Sequence, residues 1–412
     1  MKPAAPNSAY AWIVVGLLFP VALLNYLDRQ IFATMQKSIL AGVPDIATDA
    51  RFGELMAVFL YVYGIFSPVG GYIADRFNRR WVVIGSLGIW SAITWLTGHA
   101  QTYDQLWWAR ALMGVSEACY IPAALALIAD FHSGGTRARA VGVHQAGIYA
   151  GIILGGMGGY IADSSYGWRA GFQWFGLAGV LYAVVLLLFL KTPSRPAGEG
   201  TVEAPISIGF SLRQLLGVGA FILLVLYFTL PAMPGWVVKS WMPKLLAETF
   251  HLSQGIAGVS ATLWVTLASL AGVLIGGVLS DLWLRRSPRG RIYVSALGTA
   301  LCIPALFGIG YAPTLTVAVV FLVLYGIGFG FFDTNNMPIL CQIVSPKLRA
   351  TGYGLMNMVS VIVGGLAVKQ VGVMRDSGAA PAAIFSICAL AAALAVVLVL
   401  LIRPRQITGS SG

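Results

Sequence analysis

Charge is what this sequence has least of. Asp, Glu, Lys and Arg together make up 10% of its 412 residues, against about a quarter in an ordinary soluble domain. Histidine and cysteine are scarce too, four of each. Cys119, Cys302, Cys341 and Cys388 all fall inside apolar runs and none has metal-ligand spacing. They read as small buried hydrophobes, so neither a disulfide framework nor a metal site is expected. No phosphate-binding loop and no nucleophile–base arrangement is visible. An enzyme is therefore not expected, nor a cofactor. A cleavable signal is missing as well: Met1–Ser8 is short and polar, and the first apolar run lacks a small-residue cleavage site. That first run is expected to stay in the protein.

What fills the chain is surface compatible with hydrocarbon: 58% of residues are hydrophobic and mean hydropathy is +0.81. Apolar stretches of about 20 residues, the length that crosses a bilayer, recur from end to end. They predict helices near 10–39, 52–74, 81–100, 105–131, 139–162 and 170–191, then 213–246, 254–283, 292–311, 313–344, 350–372 and 380–402. Between the two sets, 192–207 is rich in Pro, Gly and charge, the composition of a solvated linker. The expected organisation is an N-terminal six-helix unit over 1–191, the linker, a C-terminal six-helix unit over 208–405, and a tail or tag remnant over 406–412 ending in Gly-Ser-Ser-Gly.

The net charge of +11 raises a nucleic-acid partner only to dismiss it. Basic residues concentrate in alternate short connections: Arg76, Arg79 and Arg80; Arg137 and Arg139; Lys191, Arg195 and Arg213; Arg285, Arg286, Arg289 and Arg291; Lys347 and Arg349; Arg403 and Arg405. The connections between those hold little beyond Arg51, Arg169, Lys244 and Arg375. This is the positive-inside pattern, which places both termini in the cytoplasm and requires an even number of spans. The partner implied is the lipid bilayer, and the location a bacterial inner (plasma) membrane. A monomer is expected.

The two halves repeat each other. Gly71-Tyr-Ile-Ala-Asp75-Arg76-Phe-Asn-Arg79-Arg80 after span 2 is echoed by Gly277-Val-Leu-Ser-Asp281-Leu-Trp-Leu-Arg285-Arg286 after span 8. Arg139-Ala-Val-Gly142, opening span 5, is echoed by Arg349-Ala-Thr-Gly352, opening span 11. Repeated six-helix units bind substrate near the midplane. Asp75 and its counterpart Asp281 can face a positive helix N-terminus. Arg76, Arg79 and Arg80 can pair with Asp130 at the end of span 4. These six form a candidate cytoplasmic gate; the plainer reading is a topogenic arginine cluster.

The scarce charges inside spans carry the functional signal, because an ionisable group at bilayer depth marks a substrate path or proton relay by default. Asp28 and Arg29 lie in span 1, Arg110 and Glu117 in span 4. Arg110 and Glu117 are seven residues apart, about two turns, and share one helical stripe. Arg110 offers a planar fork for a carboxylate or phosphate, and Glu117 suits a proton carrier. Asp28 and Arg29 diverge by about 100° and serve different spots. A static ion pair that only locks spans 1 and 4 is the competing account. His144 reads equally as a hydrogen-bonded core residue. Pro231, Pro234 and Gly235 would interrupt span 7 ahead of Lys239. Span 10 is expected to bury Asp333 with Asn335 and Asn336, a polar surface extended by Asn357 and suited to a hydroxyl-rich ligand. Asp333 could pair with Lys239 or contact a substrate donor; both arrangements stay open.

The paired Gly-x3-Asp-Arg motif resembles the major facilitator superfamily over essentially the whole chain. Asn25-Tyr26-Leu27-Asp28-Arg29, with Arg110-x6-Glu117-Ala-x-Tyr-x-Pro122, resembles the anion:cation symporters, which include bacterial sugar-acid carriers. Tyr63 and Gly167-Trp168-Arg169 match that pattern too. Spinster-like lysolipid and sphingolipid carriers share the first two motifs. The resemblance implies an all-α fold of twelve transmembrane helices in two pseudo-symmetric six-helix bundles that alternate access to a small anion. It places Tyr26, Arg29, Tyr63 and Gln145 at the substrate and gives Asp28 and Glu117 the protons. In a second arrangement Asp28 is a fixed partner of Arg110 and Glu117 carries the proton alone. The expected function is proton-coupled symport of a sugar acid or acidic saccharide, with sodium the other candidate ion. A Spinster-like amphiphile carrier and a non-transporting receptor on the same fold are the alternatives.

Overall fold

The computed structural model describes residues 8–192 and 208–403. The expected linker beyond Thr192, Arg405 and the 406–412 tail lie outside the described residues. Among those described, the chain forms twelve long helices: α1 (Ser8–Thr34), α2 (Asp49–Arg76), α3 (Arg79–Thr97), α4 (Tyr103–Phe131), α5 (Arg137–Asp163) and α6 (Gly167–Phe189), then α7 (Gly219–Thr249), α8 (Gln254–Leu284), α9 (Gly290–Gly310), α10 (Leu315–Ile343), α11 (Arg349–Asp376) and α12 (Pro381–Leu401). Eleven are long and apolar enough to cross a membrane. The remaining one, α3, has 19 residues and opens on Arg79-Arg80; at 1.5 Å per residue it still reaches about 28 Å. The all-α, twelve-helix class expected from hydropathy is the one formed.

Two expectations need correction. Span 7 does not begin at 213: Ile208–Leu216 is a separate nine-residue helix, and α7 starts at Gly219. Nor is α7 interrupted, for its 31 residues run through Pro231, Pro234 and Gly235 as one helix. Each proline removes its own N–H donor and crowds the carbonyl four residues back, a cost that a helix can absorb by bending rather than ending.

A glycine seam sets the packing of α1. Gly147, Gly151 and Gly155 recur every fourth residue along α5, and a Cβ at any of them would strike α1. At Gly147 it would lie 2.7 Å from the Phe19 carbonyl oxygen, and at Gly155 2.9 Å from that of Leu27. Absent side chains let the two backbones touch, the small-residue logic of membrane helix pairs. The seam fixes the rotation of α1, and hence where Asp28 and Arg29 point. The start of α4 is fixed by a capping box: the Thr102 side chain accepts from the Gln105 N–H, and the Gln105 side chain accepts from the Thr102 N–H.

Contacts divide the chain into two units. One gathers the described residues up to Glu203 with Lys239–Leu263 and Val368–Asp376; the other holds those of Ala204–Val238, Trp264–Ala367 and Ser377–Gly412. Parts of α7, α8 and α11 thus group with the first six helices. In the second unit, α9 packs on α10 and α12. Its core joins Phe221, Leu224, Tyr227 and Phe332 to Ile339, Leu340 and Val399.

Candidate functional site

The scarce charges of the first unit converge. Arg29 donates from Nε to Glu117 Oε2 at 2.6 Å, joining α1 to α4. Glu117 is fully buried, and the Arg29 side chain is 10% exposed. An ion pair at this depth persists only with close geometry, since removing one partner strands a charge in low dielectric. Three rings surround the guanidinium: Tyr26 at 4.8 Å, Phe59 at 4.9 Å and Tyr63 at 4.5 Å from Cζ to the ring centroids. Their negative faces spread part of its charge. Tyr26 and Tyr63, both read from the sequence as substrate residues, thus stand around Arg29.

Arg110 lies against the same Phe59 ring, at 4.5 Å, and against Phe32 at 4.7 Å. Its polar contacts are weak, Nε to the Leu55 carbonyl and Nη1 to Met113 Sδ, both 3.4 Å. It is 4% exposed, and among the described residues no carboxylate reaches it within ion-pair distance. A fixed Asp28–Arg110 pair is therefore not formed, although the charges of Asp28, Arg29, Arg110 and Glu117 lie near enough to act on one another. Asp28 points elsewhere, accepting at Oδ2 from the Thr94 hydroxyl of α3 at 3.1 Å. Neighbours on a helix diverge, and these two side chains serve different partners, as their spacing requires.

Among the described residues, five buried polar atoms of this cluster have no hydrogen-bond partner: both amide atoms of Asn25, Asp28 Oδ1, Arg29 Nη2 and Glu117 Oε1. Buried polar groups elsewhere in proteins are mostly satisfied, so the concentration here marks a place with spare capacity for a proton or a polar ligand. Sequence reasoning missed Phe59 and Thr94, and gave Asn25 no role. Phe59 carries no signal beyond being one aromatic among many. Thr94 lies on α3, whose charges are confined to its arginine-rich start.

The other expected site residues are dispersed. His144 is buried against Tyr120, with Nε2 and the phenol oxygen 2.9 Å apart, which is the core reading. Gln145, one residue on, is exposed, as is Lys239, whose carbonyl accepts from Gln30 Nε2 at 3.2 Å. In the second unit Asp333 is exposed rather than buried. Asn335 and Asn336 are buried but turn back on their own helix: Asn335 Nδ2 donates to the Phe331 carbonyl at 2.9 Å and Asn336 Nδ2 to that of Asp333 at 3.4 Å. Asn357 is half-buried on α11. A row of rings runs through Tyr353, Phe228, Phe332, Phe329 and Tyr325, each within about 6 Å of the next.

Among the described residues at the arginine-rich end, only Arg79 takes Asp130 as an ion-pair partner. Arg76 donates to Tyr72 on its own helix at 2.7 Å, and Arg80 to the Leu187 carbonyl at 2.7 Å. Asp75 is exposed, and Asp281 meets Arg291 at 3.6 Å. Gly167-Trp168-Arg169 is a positioning motif. Gly167 opens α6 at φ +71°, a conformation that suits glycine, and Arg169 Nη2 ties the carbonyls of Gly42 and Ala100 at 3.2 and 3.0 Å.

Comparison with known proteins agrees with this architecture. An MFS-type efflux pump of Mycolicibacterium smegmatis is 27% identical over 370 residues, covering 89% of this chain and 85% of the pump. Protein spinster homolog 1 of Xenopus laevis is 30% identical over 386 residues, covering 85% and 70%. Among solved structures, a bacterial homologue of the human lysosomal transporter Spinster, inward-facing and unoccupied, superposes with TM-score 0.77 at 21% identity over 98% of this chain and 96% of that one. A D-xylose–proton symporter gives 0.77 at 18% identity over 96% and 98%. At such identities these two structures speak to the fold alone. Residues 18–368 match the Major Facilitator Superfamily, a match over most of the sequence, and the chain belongs to that superfamily.

Proposed function

We propose that this transporter couples movement of an organic anion to protons, with Arg29 and Arg110 binding the anion and Glu117 exchanging the proton. One observation carries the reading: among the described residues, a buried guanidinium, Arg29, is held by a single carboxylate, Glu117, while a second, Arg110, has no carboxylate in contact. The substrate anion and ionised Glu117 compete for Arg29. Protonation of Glu117 releases Arg29, so proton and anion bind together. Loss of the proton restores the Arg29–Glu117 pair and ejects the anion. Asp28, hydrogen-bonded to Thr94, is the second acid able to take a proton. Rocking of two six-helix bundles would alternate access to the two faces.

A sugar acid or acidic saccharide fits two arginines, one of which, Arg29, lies against the rings of Tyr26 and Tyr63. A second reading, an anionic amphiphile of the Spinster-like kind, draws on three observations. The spinster relatives cover most of this chain, Asn335 and Asn336 spend their amide donors on their own helix, and the second unit carries a row of aromatic rings. Reconstituted in proteoliposomes under an imposed pH gradient, the protein should accumulate a labelled saccharide acid, and Arg29→Ala should abolish binding of that anion. Movement of a labelled anionic lysolipid in place of the saccharide acid would transfer the assignment to the amphiphile. Uptake indifferent to the pH gradient but driven by sodium would replace the coupling ion.

A further inference from the structure

The pentapeptide Gly-Tyr-Ile-Ala-Asp occurs twice word for word, at 71–75 and at 159–163. Its glycine and aspartate, with the same spacing, recur in Gly277-Val-Leu-Ser-Asp281 and Gly372-Val-Met-Arg-Asp376. These four sites are the C-terminal ends of α2, α5, α8 and α11. Two of them, in α2 and α8, lie at the arginine-rich end. The other two, in α5 and α11, lie at the opposite end, where α2 and α8 begin.

The pair at that opposite end is engaged, and in the same way. The Asp376 carboxylate accepts the first two amides of α2, from Asp49 at 2.9 Å and Ala50 at 2.8 Å. The Asp163 carboxylate accepts the Gly255 amide of α8 at 3.0 Å and the Gln254 side-chain amide at 2.8 Å. Each helix already has a hydroxyl cap, Thr48 accepting from Arg51 and Ser253 from Ile256. The aspartates therefore take the first-turn N–H groups that the caps leave over, where the helix dipole favours an anion. The glycine four residues earlier makes the approach possible. A Cβ at Gly372 would lie 2.9 Å from Ala50 Cα, and one at Gly159 2.6 Å from the Gly255 nitrogen. Neither distance is tolerable against backbone. Lys244 adds ion pairs to Asp49 and Glu248, and Arg375 pairs with Glu248 at 2.7 Å.

The pair at the arginine-rich end holds no helix start among the described residues. A Cβ at Gly71 would meet nothing within 4 Å, and one at Gly277 only the Thr334 hydroxyl at 3.8 Å. Asp75 makes no hydrogen bond or ion pair among the described residues, and Asp281, 72% exposed, meets the Arg291 side chain at 3.6 Å rather than a backbone amide.

We propose that Gly159/Asp163 and Gly372/Asp376 are inverted copies of the Gly71/Asp75 motif and form a twin clasp that shuts the face opposite the arginine-rich one. Glycine admits the neighbouring helix start, and aspartate binds it. Opening that face requires both carboxylates to leave their helix N-termini. The inference concerns closure alone and holds whatever the substrate or coupling ion.

The test uses the full chain with Ala33→Cys as reporter, a buried residue lining a cavity of about 580 Å³ beside Lys244 and Gln254. A membrane-impermeant maleimide is applied from the side on which α2 and α8 begin. Asp163→Asn and Asp376→Asn, nearly isosteric, should each raise the labelling rate about 2- to 5-fold, the factor a charge at an exposed helix N-terminus is worth. Gly159→Ala and Gly372→Ala wedge the same contacts without touching charge and should raise it too. Gly71→Ala, which meets no atom in this structure, should leave it unchanged or lower it. Unchanged labelling in the four clasp variants would refute the clasp, as would an equal rise in Gly71→Ala, which would signify general loosening.

Discussion

Replacing Glu117 by Gln tests whether the ion pair is the coupling device. Glutamine keeps the size of the side chain and an acceptor for Arg29 Nε, now held at 2.6 Å, but it cannot ionise. Arg29 is then permanently released from its internal counter-charge. A hydrogen bond to a charged group contributes about 1.5–3 kcal/mol, and this is the cost an incoming anion meets when it displaces ionised Glu117. Removing that competition should tighten anion binding at alkaline pH about 10- to 100-fold. Affinity in the parent protein should fall as pH rises, and in Glu117→Gln it should be flat. Transport should split in parallel. For one proton per anion, a gradient of one pH unit is worth about 1.4 kcal/mol and supports roughly tenfold accumulation. In the variant, accumulation should collapse to equality while exchange of labelled for unlabelled anion continues. Isothermal calorimetry across pH, with counterflow in proteoliposomes, reads both. A variant that still accumulates its substrate, or one whose affinity follows pH as before, would refute the competition between Glu117 and the anion and pass the proton role to Asp28.

Thr94→Val removes the one hydroxyl on Asp28, whose other oxygen already lacks a partner; it should lower stability by about 1–3 kcal/mol and move the pH dependence of transport, readable by thermal melting and uptake at several pH values. Gly151→Leu sets a branched side chain into the Leu23 backbone across the α1–α5 seam; overpacking costs about 1–3 kcal/mol even in yielding cores, so folded yield on size-exclusion chromatography should fall sharply, whereas Gly142→Ala, in open space on the same helix, should be tolerated.

The sequence by itself determined the class, the helix count and the depth of the charges. A membrane helix satisfies its own backbone hydrogen bonds, so length and apolarity suffice to find it, and Asp28, Arg29, Arg110 and Glu117 stood out because ionisable groups are costly among hydrocarbon side chains. Divergence of Asp28 from Arg29 followed from helical geometry alone. Which charge meets which did not. Arg29 chooses Glu117, and Asp28 chooses Thr94 over Arg110, because the glycine seam against α5 rotates α1 and the cap at Thr102 sets the register of α4. Phe59, beneath both guanidiniums, is defined only by that packing. Span 10 misled for the same reason: three polar residues close together looked like a ligand surface, but their directions on the helix turn two amides inward and leave Asp333 outside. The repeated Gly-x3-Asp words were legible throughout, yet only the tertiary structure distinguishes the copies that grip a helix start from those that do not, since a carboxylate's partner depends on which backbone a missing Cβ lets approach.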